Sequence, residues 1–332
     1  MKRRAFLGAV GAGLCALAVH SPAAFAADAA WPDKPIRLIV PYPPGGVTDL
    51  AGRLVGEIIT KKFGQPVVVE NRPGANGLIG SQAVARAPAD GYTLLLNGLG
   101  GIVLPPATLK GYPIDYTTAL TPIAQMAEFV NVLVVGANSD IRSVDDLLAR
   151  ARANGDKGLS YGSNGTGASA HMTTEFFCMR TDIKCLHAAY KGSGELLIDV
   201  ANGNLDFSFS NLPPVVPLIK KGVVRPIAVT SPYRSRELPD VPTLQELGLQ
   251  DFAVTSWLGV YGPAGMNPEI VQRLSQAIVQ GVSEAGPMNT LVSAGFEPKP
   301  ASMADFAKLN RAELERWSKV ARDAGVSLNF GS

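Results

Sequence analysis

Three glycine-rich stretches of this chain join an apolar run to a helix-patterned one, and each could hold an anion. In Pro41-Tyr42-Pro43-Pro44-Gly45-Gly46-Val47-Thr48-Asp49, two glycines permit a tight turn whose backbone N–H groups face outward. The helix start behind them carries a positive partial charge, so Tyr42, Gly45, Gly46 and Thr48 could form one wall of an anion site. In Tyr161-Gly162-Ser163-Asn164-Gly165-Thr166-Gly167-Ala168-Ser169-Ala170-His171, the hydroxyls of Ser163, Thr166 and Ser169 stand among glycines, a donor cluster suited to a carboxylate. Tyr190-Lys191-Gly192-Ser193-Gly194-Glu195 adds a cation. Phe209-Ser210-Asn211-Leu212-Pro213-Pro214 and Asn97-Gly98 add hydroxyl and amide groups. Plainer readings stand beside these. The first turn could be a packing turn capped by Thr48 or Asp49, His171 a satisfied structural donor, and Lys191 a solvated charge.

Patterns for chemistry on a bound molecule are missing. No Gly-Lys-Ser/Thr follows the first turn, so it is not a P-loop. Glycines at 162, 165 and 167 stand in the wrong order for a dinucleotide fingerprint. Tyr161 precedes Ser163 by two residues and Lys191 precedes Ser193 by two, where a hydrolase elbow needs glycine. An exported α/β hydrolase with a triad assembled from distant residues is the rival reading. No Cys-x-x-Cys or His-x-x-x-His spacing exists, so neither a metal nor a cofactor is expected.

The elements that must position these turns alternate strand and helix. Ile36–Val40 reads as a strand. A helix then runs to about Lys62, with Leu50, Leu54, Val55 and Ile58 on one stripe. Val67–Val69 and Tyr92–Leu96 read as strands around a helix from Leu78 to Arg86. This rhythm predicts a parallel sheet with helices on both faces. After an irregular, proline-rich stretch from Leu104 to Tyr116, strands are expected at Val130–Val135, Leu159–Tyr161, Lys184–Ala189, Asp206–Ser210, Val224–Thr230 and Thr255–Tyr261. Helices are expected at Ser143–Ala153, Ala168–Met179, Glu195–Ala201, Pro268–Val282, Met288–Ala294 and Met303–Ala324. The flagged turns share one position, after the C-terminal ends of strands, where open α/β sheets place ligands. Late strand and helices returning to the first unit suggest one lobe of 27–129 plus 255–332 and another of 130–254, with a ligand cleft between them.

Length and composition agree. The chain has 332 residues, 46% of them hydrophobic and 17% charged, enough for two cored lobes and too apolar for a disordered chain. Residues 1–26 read as a signal peptide: Lys2-Arg3-Arg4, an apolar run to Val19, and Ala24-Phe25-Ala26 before the cut. The paired arginines allow a twin-arginine route, and a Sec leader is the alternative. Without the leader, 27 basic side chains face 28 acidic ones. That balance excludes the basic excess of a nucleic-acid binder. Cys178 and Cys185 then remain, and an oxidising compartment favours a disulfide between them over two separate buried thiols.

The residues also carry a resemblance. Trp31-Pro32-Asp33-Lys34-Pro35-Ile36-Arg37-Leu38-Ile39-Val40-Pro41-Tyr42-Pro43-Pro44-Gly45-Gly46 resembles the start of the Bug-type receptors, the substrate-binding proteins of tripartite tricarboxylate transporters. Val69-Glu70-Asn71-Arg72-Pro73-Gly74-Ala75-Asn76-Gly77, Asp90-Gly91-Tyr92-Thr93-Leu94, Tyr161–His171 and Tyr190–Gly194 are similar to later signatures of that family. The resemblance implies a type II periplasmic-binding-protein fold, two α/β lobes closing on a ligand. It implies that a carboxylate is held by Tyr42, Gly45, Gly46 and Thr48 from one lobe and by Ser163, Gly165, Thr166, Gly167 and His171 from the other. Asn97, Lys191, Ser210 and Asn211 are further candidates. The expected protein is a periplasmic monomer that binds a small organic acid, catalyses nothing and delivers its ligand to membrane transporter subunits. A receptor feeding a membrane sensor kinase would have the same fold and site.

Overall fold

Four of the five residues in Ile36–Val40 are apolar and buried, and this segment becomes the central strand β1 (Ile36–Val40) of a parallel unit. The structure is a computed structural model and describes residues 31–323 and 328–329. The expected leader, 1–26, lies outside the described residues. After β1 come α1 (Val47–Phe63), β2 (Val67–Asn71), α2 (Leu78–Ala85) and β3 (Thr93–Gly98). β2 and β3 flank β1 in parallel, with Leu38 opposite both Val69 and Leu94. Parallel neighbours require a crossover, and α1 and α2 supply it. α1 stops at Gly64, whose φ of 73° is the left-handed conformation that glycine adopts at low cost.

The stretch expected to be irregular, which α3 (Leu99–Ile102) precedes, holds α4 (Leu104–Thr108) and β4 (Leu109–Lys110) and ends at the start of α5 (Tyr116–Ala119). It feeds β5 (Leu120–Gly136), a 17-residue strand buried throughout except at Thr121 and Pro122. The chain continues through α6 (Val144–Asn154), β6 (Leu159–Ser163), α7 (Ser169–Thr181), β7 (Cys185–Ala189), α8 (Ser193–Ala201), β8 (Ser208–Asn211), α9 (Leu212–Lys220) and β9 (Val224–Val229). It closes with β10 (Thr255–Pro263), α10 (Pro268–Ser283), α11 (Ala285–Ser293), β11 (Glu297–Ala301), α12 (Met303–Asp323) and β12 (Leu328–Asn329).

β5 organises the topology. Its first half lies between β10 and β11, both antiparallel to it. β10 pairs on its other edge with β3 and so joins β5 to the first parallel unit. The second half of β5 carries β8 and β9 instead. β6 and β7 form a separate parallel pair. Two α/β lobes therefore share one strand. Alternate residues of β5 serve different cores, as the period of two demands. Val130, Val132 and Val134 pack with Leu196, Val200, Leu212 and Val216. Leu133 and Val135 pack with Leu147, Leu159 and Phe207.

Three elements escape the sequence reading. The first half of β5 carries Pro122, Gln125 and Glu128 and is buried on both faces, so no alternation marks it. α9 contains Pro213, Pro214 and Pro217; two of these sit in the first turn, where a missing N–H costs little. β11 contains Pro298 and Pro300 and is an edge strand, the position a sheet allows to proline.

Cys178, near the end of α7, is bonded to Cys185, at the start of β7. The bond closes a turn with a sequence separation of 7, and closing so short a loop contributes about 2.5 kcal/mol by restricting the unfolded chain. Replacing both cysteines by serine should lower the unfolding free energy by about that amount in urea titrations. Reductant should produce the same loss in the unaltered protein and none in the variant.

Candidate functional site

Between the C-terminal ends of these strands lies a cavity of about 680 Å³. Tyr42, Pro43, Pro44, Gly45, Gly46, Val47 and Thr48 form one wall, where β1 turns into α1. Gly45 takes φ 78°, a left-handed conformation that gives glycine a reason to stand there. Gly46, the residue before α1, is extended, and no side chain among the described residues caps the helix. The first N–H groups of α1 thus lack intrahelical partners and start at the cavity wall.

Asp49 sits in that first turn without lining the cavity. It is buried and accepts from Gly45 N–H at 2.9 Å, from Asn71 at 3.0 Å and from Arg53 at 3.1 and 3.2 Å. Burial pushes its carboxyl up, but these bonds and the Arg53 charge outweigh burial and hold it below the usual carboxylate range. Asn71 also donates to Tyr42 carbonyl oxygen at 3.0 Å. The half-buried Tyr42 has its phenol raised well above its ordinary value by burial, with Tyr116 adding to the effect, so the hydroxyl keeps its proton and can donate. Asn97 lines the floor. Its amide donates to Ser81 Oγ at 3.0 Å, and its oxygen accepts from Gly98 N–H at 2.8 Å. Gly98 is obligatory on steric grounds, because a Cβ there would overlap the Trp257 carbonyl.

Asn164, Ala168 and Ser169 line the opposite side, at the start of α7, together with Lys191, Gly192, Ser193 and Gly194 at the start of α8. Neither helix carries a side-chain cap among the described residues. Among helices whose cap residues do not line the cavity, α5, α6 and α10 are capped by Asp115, Ser143 and Asn267, and α2, α4 and α11 have no side-chain cap. Helices α8 and α9 add Leu197, Ile198, Pro213, Pro214, Pro217 and Leu218; strands add Phe129, Trp257 and Leu258. Lys191 is the sole charged side chain among the described residues that line the cavity. Three lining residues hold a buried polar atom with no partner among the described residues: Asn164 Oδ1, Asn211 Oδ1 and Trp257 Nε1. Such atoms call for a guest or an ordered water.

Residues 51–326 match the family described as tripartite tricarboxylate transporter family receptor. The chain belongs to that family. It is 33% identical over 299 residues to protein BugT of Bordetella pertussis, covering 90% of this chain and 91% of BugT, which makes it a Bug-type receptor. An R. palustris protein solved with adipate superimposes with a TM-score of 0.86 at 34% identity, covering 90% of this chain and 99% of that one. MatC from Rhodopseudomonas palustris, solved with bound malate, superimposes with a TM-score of 0.80 at 25% identity, covering 87% and 99%.

The receptor's cavity gathers some of the candidate residues and leaves others behind its wall. Tyr42, Gly45, Gly46, Thr48, Asn97, Lys191 and Asn211 line it. Gly45 lines it with its N–H already given to Asp49. Ser163, Gly165, Thr166, Gly167, His171 and Ser210 are not among the lining residues. Ser163 is fully buried, and its hydroxyl is saturated by Gly165 carbonyl oxygen at 3.1 Å, Gly165 N–H at 3.3 Å and His187 Nε2 at 2.7 Å. Thr166 is exposed. Gly167 donates its N–H to His171 Nδ1 at 3.0 Å, so the two satisfy each other. Ser210 bonds Ser208 at 3.0 Å. Sequence reasoning missed Phe129, Trp257, Leu258 and the α9 prolines as wall. Ser169, whose hydroxyl the sequence places in the donor cluster, lines the cavity, and Asn164 of the same run joins it.

His171 and His187 belong to a stacked layer, 4.1 Å apart between ring centres, with Tyr161 5.0 Å from His187. Burial depresses His171 to about 4, the neighbouring His187 adding to the effect and Glu175 opposing it. Burial depresses His187 in the same direction. The unfolded histidine takes a proton near pH 6.5, whereas folded His171 refuses it until about 4. Acid therefore favours unfolding: the contribution is complete above pH 6.5 and falls away toward pH 4. Between pH 7.5 and 5 the receptor should lose about 2 kcal/mol through His171. Urea titrations across that range should show the slope, and His171→Asn should flatten it.

Proposed function

We propose that this receptor captures a small organic acid by its carboxylate in the cavity and delivers it, chemically unchanged, to the membrane subunits of a tripartite tricarboxylate transporter. The observation that carries the reading is the convergence of three helix starts, α1, α7 and α8, on one cavity without side-chain caps. Each start offers free N–H groups and a partial positive charge, worth about 0.3–1 kcal/mol apiece to an anion at an exposed site. Relatives solved with adipate and malate support an acid as guest. Lys191 at the cavity adds a full charge.

The proposed lobes are 27–129 with 255–332, and 130–254. The chain passes between them where β5 runs from Phe129 to Val130 and where Val254 leads into β10. Closure about these two crossings would exclude water from the guest, and affinity for the closed form sets its population. The place of action is the periplasm, reached through the 1–26 leader, and the working form is a monomer. A structure of a relative described as periplasmic binding protein BugD, at 27% identity, supports this compartment.

Ser163 and His187, 2.7 Å apart, are the pair that a hydrolase reading would use. Ser163 is fully buried and does not line the cavity, which leaves Oγ out of a substrate's reach. Membership in a receptor family supports binding without catalysis.

Val47 is the first helical residue of α1 and follows an extended Gly46. Proline is tolerated at that position and deletes one cavity-side N–H. Val47→Pro should leave the melting temperature nearly unchanged and weaken acid binding about tenfold, near the 1.5 kcal/mol of a hydrogen bond to a charged group. A panel of organic acids, scored by melting shift and then calorimetry, tests the reading on the unaltered receptor. Unaltered affinity in Val47→Pro removes the α1 start from the site. An acid recovered as a different compound by mass spectrometry removes the receptor reading.

A further inference from the structure

We infer that the guest bears a hydrogen-donating substituent, a hydroxyl or an ammonium, besides its carboxylate, and that Asn211 is the residue that selects for it; the inference rests on the carboxylate reading above. Asn211 ends β8 and is the residue before α9. Asparagine in that place normally turns its side-chain oxygen onto the N–H of the second or third helical residue. Here those residues are Pro213 and Pro214, and proline has no N–H. The run Asn211-Leu212-Pro213-Pro214 thus removes both local partners, and the side chain makes no capping bond. The neighbouring Ser210, by contrast, is engaged with Ser208 at 3.0 Å. Asn211 lines the cavity, is only 6% exposed, and its Oδ1 has no partner among the described residues.

The result is an acceptor in a cavity furnished mainly with donors. The starts of α1, α7 and α8, together with Lys191, suit the oxygens of an acid. Trp257 Nε1, buried and also without a partner among the described residues, serves a carboxylate as readily as a hydroxyl oxygen and does not discriminate. An ionised carboxylate only accepts, so it cannot answer Asn211 Oδ1, however many carboxylates the guest carries. Asn164 Oδ1, also on a cavity-lining residue, is a second buried acceptor in want of a partner. An acceptor left unpaired in a closed cavity weakens binding, and one O–H or N–H on the guest removes that loss. The volume of about 680 Å³ admits such a substituent on acids of widely different length.

Calorimetry with two matched series tests this: succinate, malate and aspartate, and hydrocinnamate, phenyllactate and phenylalanine. In at least one series a substituted acid should bind about tenfold tighter than the unsubstituted one. Malate or phenyllactate as the tighter ligand identifies a hydroxyl; aspartate or phenylalanine identifies an ammonium. Asn211→Leu removes the amide at similar volume. It should weaken the preferred acid about tenfold and the unsubstituted acid far less, so that the preference collapses. Pro214→Ala, which decides the matter if Asn211→Leu fails to fold, restores an N–H that Asn211 can cap. That variant should melt close to the unaltered receptor and lose the preference as well. Equal binding of substituted and unsubstituted acids, an equal loss for both in Asn211→Leu, or a preference that survives the substitution overturns the inference and leaves the carboxylate reading intact. A panel in which no acid binds overturns both.

Discussion

A carboxylate taken out of water must find its lost hydrogen bonds already in place, and this requirement explains the arrangement of the receptor. The donors assigned to it are peptide N–H groups at helix starts. A helix leaves its first four N–H groups without partners, so a strand that turns directly into a helix delivers a donor cluster wherever it ends. β1, β6 and β7 each end at the cavity and are followed by α1, α7 and α8. Peptide donors carry no formal charge. A chain that binds anions this way needs no basic excess, in keeping with 27 basic against 28 acidic side chains beyond the leader. It also needs no basic cluster whose self-repulsion would have to be offset in the empty protein.

Asp49 shows how the arrangement tolerates an acid beside the proposed anion site. An acidic residue in the first turn of a helix normally competes for the same N–H groups that a guest would use. Here its carboxylate is bound to the Gly45 N–H, to Asn71 and to Arg53, which leaves the N–H groups of Val47 and its neighbours open. The Arg53 guanidinium cancels much of its charge at close range. The same carboxylate fixes the turn, because Asn71 bridges it to the Tyr42 carbonyl. One buried acid therefore shapes the loop without occupying its mouth.

The first wall was legible because its signal is local. Two glycines between an apolar strand and a striped helix specify a turn and a helix start, and the cavity-lining residues there are consecutive. The run from Tyr161 to His171 was legible as a location, whereas the direction of Ser163 within it depends on strand periodicity. Tyr161 and Ser163 lie two apart on β6, so both side chains share one face, and that face belongs to the histidine layer. A count of hydroxyls in the run carries no information on which way the strand points them. The apolar wall was illegible for another reason. Three prolines in nine residues argue against a helix, yet two occupy the turn that tolerates them. Trp257 and Phe129 lie on strands buried on both faces, where a run of apolar residues does not reveal which one meets a cavity.

The histidine layer then acquires a role that its position behind the wall does not announce. Gly167 N–H ends on His171 Nδ1, and Gly165 is tied to Ser163, which His187 holds. Both imidazoles accept or donate as neutral rings, and a proton on His171 Nδ1 would remove the acceptor that Gly167 needs. Burial keeps that proton off, and the parallel stacking of Tyr161, His187 and His171 supplies the burial. The turn before α7, and with it one of the three proposed donor clusters, is thus held by side chains that do not line the cavity. Glycines at 165 and 167, with φ of 129° and 76°, let the backbone take the shape, and the histidines keep it there. Flexibility and restraint come from different residues, and the helix start at the cavity depends on both.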